Sequence, residues 1–110
     1  MHIAASRGYP RIIDMLLRHG AKIDILDISD RTPLLLAVTR GHCDVVQFLL
    51  NKGAKVNCEE IHGYTPLSEA VWQKDDELVC LLLEAGAKIT THHHLLHYCV
   101  LHRSQLHKLI

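Results

Sequence analysis

The sequence predicts an all-α solenoid of stacked helix-turn-helix units joined by short hairpins, and two observations carry that prediction. The first is repetition: Thr32-Pro33-Leu34 recurs as Thr65-Pro66-Leu67, and Gly20-Ala21-Lys22 recurs as Gly53-Ala54-Lys55 and Gly86-Ala87-Lys88, always after 33 residues. The same step carries Ala4 to Ala37 to Ala70, Leu16-Leu17 to Leu49-Leu50 to Leu82-Leu83, and Ile23-Asp24 to Val56-Asn57 to Ile89-Thr90. The second is the helical spacing of apolar residues inside each period. A period of this length describes a unit too small to bury its own faces, which stacking on its neighbours completes.

Each element of the unit has a local cause. Pro33 and Pro66 suit the first turn of a helix, where a missing N–H loses no partner, and Thr32 and Thr65 stand just ahead as N-caps. These short helices run to about Arg40 and about Gln73, with small Ala37 and Ala70 where a neighbouring helix comes close, and Gly41 permits the left-handed turn that ends the first of them. A second helix follows from about Asp44 to Lys52, its Val45, Val46, Phe48, Leu49 and Leu50 forming one apolar face. Its counterparts are Pro10 to His19 and Asp75 to Ala85, the latter opening with Asp75, Asp76 and Glu77 where the helix dipole favours negative charge. Between units, Ser29-Asp30 and His62-Gly63 are turn formers flanked by apolar residues, as in a short hairpin.

Composition narrows the function. The 110 residues, 48% hydrophobic, fit one domain. Twelve Lys and Arg balance twelve Asp and Glu, so no net field draws the chain to nucleic acid or an anionic membrane. Ten His residues add positive charge below about pH 6. Cys43, Cys58, Cys80 and Cys99 form no C-x-x-C pair and are few for a disulfide scaffold, which points to reduced thiols. No run reaches the length of a membrane span and no secretory leader is legible, so the cytoplasm is the expected compartment, with the nucleus as the alternative.

The repeated residues resemble the ankyrin-repeat family, whose unit reads roughly D-x-x-G-x-T-P-L-H-x-A, a glycine turn, and a helix ending L-L-x-x-G-A. One copy here supplies Asp27, Thr32-Pro33-Leu34, Ala37, Gly41, Leu49-Leu50 and Gly53-Ala54; the next supplies Gly63, Thr65-Pro66-Leu67, Ala70, Leu82-Leu83 and Gly86-Ala87. The resemblance covers nearly the whole chain as a single domain with a partial unit at 1–24, units at 25–57 and 58–90, and a partial unit at 91–110. Three departures stand out. Met1 occupies the place of Leu34 and Leu67; His94-Leu95-Leu96-His97-Tyr98-Cys99 is a worn copy of the motif that begins 29 residues after Thr65; and Asp30 and Lys74 replace glycines of the sister units. A longer array is expected, since neither end looks like a polar capping repeat.

What the resemblance implies is a non-catalytic protein-binding module, part of a longer intracellular scaffold or adaptor. The alternatives are the substrate-recognition arm of a ubiquitin-ligase subunit of the SOCS-box type, or an array regulating an attached enzyme or channel. No cofactor and no small-molecule substrate is expected, and no G-x-S-x-G, phosphate loop or paired nucleophile and base is present. His92, His93, His94 and His97, with His102 and His107 beyond, are the densest set of metal-ligand residue types, but no H-E-x-x-H accompanies them, and solvated or capping histidines are the expected reading. In ankyrin-like stacks the partner lies against hairpin tips and the open side of the first helices. Between the structural positions there stand Leu36, Thr39 and Arg40, then Glu69, Trp72 and Gln73, then Tyr98 and Leu101. Trp72 leads, because sister units carry Thr39 and Ser6 at its place and exposed aromatics and Arg are the usual anchors; its second reading is as cover for a neighbouring helix. At the tips, Ile25, Leu26, Ile28 and Arg31, and then Glu59, Ile61, His62 and Tyr64, extend the face, unless the isoleucines pack hairpin on hairpin. Arg40 and its counterpart Arg7 are read as partner contacts or as solvated charge. Cys43 and Cys80 are expected at least half-buried on their helices and Cys58 exposed.

Overall fold

The computed structural model describes residues 1–89, and within them six helices form three pairs: α1 (His2–Arg7) with α2 (Pro10–Arg18), α3 (Pro33–Thr39) with α4 (Cys43–Asn51), and α5 (Pro66–Trp72) with α6 (Asp76–Glu84). No strand occurs among the described residues. The first helices α1, α3 and α5 lie side by side as an inner row, and α2, α4 and α6 form the row behind them. The sequence-predicted helices fall where expected, with ends displaced by a residue or two: Cys43 rather than Asp44 opens α4, and Asp75 is the cap of α6 rather than its first turn.

Caps set the helix starts. Thr32 Oγ1 accepts from Leu35 N at 3.1 Å; Thr65 Oγ1 accepts from Ser68 N at 3.1 Å while Ser68 Oγ accepts from Thr65 N at 2.8 Å, a reciprocal box. Asp75 caps α6 by accepting from Leu78 N at 3.2 Å. The expected left-handed turns are present, including the two positions where glycine is replaced, with φ of 59° at Asp30 and 58° at Lys74. A β-carbon in that region costs about 1 kcal/mol or more. Gly8 has a second reason to lack one: its φ is 79° and an added Cβ would sit 2.8 Å from Nδ1 of His42.

The core is a single apolar column running through the units, with Ala4, Ala37 and Ala70 at the close helix contacts and Leu34, Leu67, Val46, Val79, Leu49 and Leu82 filling around them. Stacking decides which apolar residues are buried. Val45 and Leu78 are 0% exposed, because α2 lies against α4 and α4 against α6, whereas Ile12 at the equivalent place on α2 is 46% exposed. Polar bonds repeat at the same period: Asp24 Oδ1 accepts from Lys55 N at 3.1 Å and Asn57 Oδ1 from Lys88 N at 2.8 Å, each tying one unit to the next.

The hairpins are tight turns closed by Asp27 N to Arg31 O at 3.1 Å and Glu60 N to Tyr64 O at 2.9 Å. The alternative in which the isoleucines pack hairpin on hairpin is overturned: Ile28 is 98% exposed and Ile61 61%. The backbone holds the tips together instead, through Ile61 N to Ser29 O at 3.0 Å, which leaves the isoleucine side chains to solvent. Cys58 is also corrected. It is half-buried, with Sγ 3.3 Å from the Oγ1 of the cap Thr32, and burial pushes its thiol above its ordinary pKa. Cys43 and Cys80 are half-buried, as expected.

Two stability measurements follow. Val45→Ala is expected to cost about 2–3 kcal/mol and the equivalent Ile12→Ala less than about 1 kcal/mol, read from urea midpoints; equal costs would show that the units do not depend on their neighbours. Lys74→Gly is expected to raise the melting temperature, with a stability gain of at most about 1 kcal/mol because glycine also loosens the unfolded chain, while Gly8→Ala lowers it; a fall in Lys74→Gly would contradict the strained turn.

Candidate protein-binding face

Because α1, α3 and α5 pack side by side in one 33-residue register, corresponding positions line up across the inner row. Some of these positions are spent on joining the units. His42 Nε2 lies 2.9 Å from the carbonyl of Ser6 at the end of α1, and Gln73 Nε2 donates at 2.9 Å to the carbonyl of Thr39 at the end of α3. These two carbonyls are equivalents, so two different side chains perform the same join. His2 makes a further one, with Nε2 2.9 Å from the carbonyl of Arg31 in the next hairpin.

The other positions along the first helices and their hairpins form the open face. Arg40 caps the C-terminus of α3, Trp72 is the last residue of α5, and both are exposed, Trp72 at 69%. Leu36 and Glu69, one turn earlier on their helices, are half-buried. At the opposite end of the same helices stand the hairpin tips, with Ile28 and Arg31 before Thr32 and with His62 and Tyr64 before Thr65, all exposed. A seven-residue helix rises about 10 Å, so tips and helix ends are one short helix apart. The predicted residues Leu36, Arg40, Glu69, Trp72, Gln73, Ile28, Arg31, His62 and Tyr64 therefore all lie on the first helices or the tips that precede them. Tyr98 and Leu101 lie outside the described residues, as do the histidines from His92 onward.

The tips are held in shape from within. Asp27 accepts from Ser29 N at 2.9 Å, from Arg31 N at 2.8 Å and from Arg31 Nε at 2.9 Å. Burial raises the Asp27 carboxyl, but these donors and the Arg31 charge outweigh it and hold the group below its ordinary carboxylate value. In the second tip the Glu60 carboxylate takes the equivalent place, accepting from the amides of His62 and Tyr64. Arg31 is thus anchored at its Nε by Asp27, and Gln73 is committed to Thr39.

Sequence reading passed over His2, His42 and Glu60. Glu60 was within reach, since it stands 33 residues after Asp27. His2 shares its register with Leu35 and Ser68, and His42 with Tyr9 and Asp75, so periodicity alone gives no hint of either bond.

Among the described residues, no group of three or more His, Cys, Asp or Glu is placed to hold a metal ion, and no helix is long and apolar enough to cross a membrane. A shallow cleft of about 250 Å³ between α4 and α6, lined by Gln47, Leu50, Asn51, Leu81, Glu84 and Ala85, belongs to the outer row instead.

The family description that matches the chain is "Ankyrin repeats", in three copies over residues 1–93. No curated protein matches it. With six helices in three like pairs, stacked at the interval of that repeat, this chain belongs to the ankyrin-repeat family.

Proposed function

We propose that the chain is a non-catalytic protein-binding module whose partner lies across the open sides of α1, α3 and α5 and the two hairpin tips, within a longer intracellular scaffold or adaptor. Ankyrin repeats are in general protein–protein interaction modules. The observation that carries the reading to this surface is Trp72. It is the single tryptophan of the sequence, stands 69% exposed, and occupies a register at which the fold accepts Ser6 and Thr39. Large aromatic side chains kept at solvent where the core does not ask for them are the usual anchors of an interface. Arg40, one residue beyond the equivalent of Trp72 on α3, and Tyr64 and Ile28 at the tips supply further residues of the anchor type, with Leu36, Glu69 and His62 between them. The cytoplasm is the compartment proposed, with three half-buried free thiols in accord with a reducing environment.

The reading is tested by replacing the anchor. Trp72→Ala is expected to leave the unfolding midpoint within about 1 kcal/mol of the parent, as its exposure dictates, and to abolish recovery of partners when the whole chain is used as bait and the bound proteins are identified by mass spectrometry. Partners recovered unchanged by Trp72→Ala and by Arg40→Ala would place binding elsewhere on the molecule.

A further inference from the structure

The carboxyl ends of the three first helices carry a row of side chains whose character changes along the stack, from arginine to an aromatic ring. At one register α1 and α3 present Arg7 and Arg40, both exposed, while α5 has Gln73 turned onto the Thr39 carbonyl. At the register before it, Ser6 and Thr39 give way to Trp72; a turn earlier, Ile3 and Leu36 give way to Glu69. Two guanidinium groups on adjacent helices are thus followed, on the third, by an aromatic ring with a carboxylate on the same helix face.

We propose that this row takes an extended acidic peptide segment in which two carboxylates three residues apart are followed, three residues further on, by an apolar side chain. The spacing comes from geometry. Helices packed side by side lie about 8–10 Å apart and an extended chain advances about 3.3 Å per residue, so every third residue meets the next helix. The carboxylates pair with Arg7 and Arg40, and the apolar side chain covers the exposed ring of Trp72. Each helix end contributes about half a negative charge, which the full charge of an arginine outweighs. Arginines beside an aromatic also suit single-stranded nucleic acid, but the chain's charges balance and give it no net field toward a phosphate backbone. The proposal rests on the protein-binding reading above and narrows it to one partner chemistry.

The test uses the whole chain and fluorescein-labelled ten-residue peptides in a Gly-Ser background, one with glutamate at its third and sixth places and phenylalanine at its ninth, the other in the reverse order. Anisotropy is expected to show saturable binding of one of the two, weakened about tenfold in the Arg7→Gln/Arg40→Gln double variant and by added salt, and lost in Trp72→Ala. The arginines are exposed, and unchanged circular dichroism of the double variant confirms that its fold is kept. Equal binding of a peptide with glutamine for glutamate, tighter binding of labelled oligothymidine, or no saturable binding up to about 1 mM peptide overturns the proposal. Those outcomes leave the broader reading standing wherever partner capture still depends on Trp72; loss of that dependence overturns both.

Discussion

Every helix described here is between six and nine residues long, well below the length at which a helix holds together in water by itself. The contact that makes up the deficit is lateral: each first helix is pressed against the first helix of the adjoining unit, with an alanine at the crossing. Ala4, Ala37 and Ala70 are buried, and a larger side chain at such a point would push the first helices apart and break the bonds from His42 to Ser6 and from Gln73 to Thr39. Caps and turns place the helices, but the neighbours hold them.

That constraint divides the surface into two kinds of position. Residues that face along the stack are restricted to small or aliphatic side chains, and those that reach the next backbone are held by polar bonds of the Asp24 and Asn57 type. Residues that face across the stack at the helix ends, such as Arg7, Arg40 and Trp72, are exposed and lie outside the core. At the end of the first helices the three units therefore differ freely, as Ser6-Arg7, Thr39-Arg40 and Trp72-Gln73, while Ala4, Ala37 and Ala70 stay the same. Recognition belongs to the variable set for this physical reason: altering it costs the fold little, so one scaffold can carry many surfaces.

The architecture was legible because its causes are periodic and local. Thr-Pro pairs mark helix starts, glycine marks their ends, and a 33-residue step identifies stacking without any knowledge of contacts. Even the left-handed turns at Asp30 and Lys74 could be read by alignment with sister glycines. What escaped was what depends on a single partner across units. The bond from His42 to Ser6 is supplied by glutamine in the next unit, at a different register, and so leaves no repeated residue to notice. Exposure at the tips was ambiguous for a similar reason: Ile28 and Ile61 look like packing residues, and only the backbone bond from Ile61 to Ser29 shows that the tips are joined without them. Cys58 was misjudged because a contact that local sequence does not show, with the cap Thr32 of the preceding unit 26 residues away, draws it in.

The claim that the units have no stability apart from their neighbours is tested most directly by native-state amide hydrogen exchange in low urea. The core amides of all three helix pairs, followed through residues such as Ile13, Val46 and Val79, are expected to open together with one free energy and one denaturant slope. Persistence of protection in one pair, under conditions where the amides of another already exchange through a separate opening, would contradict it.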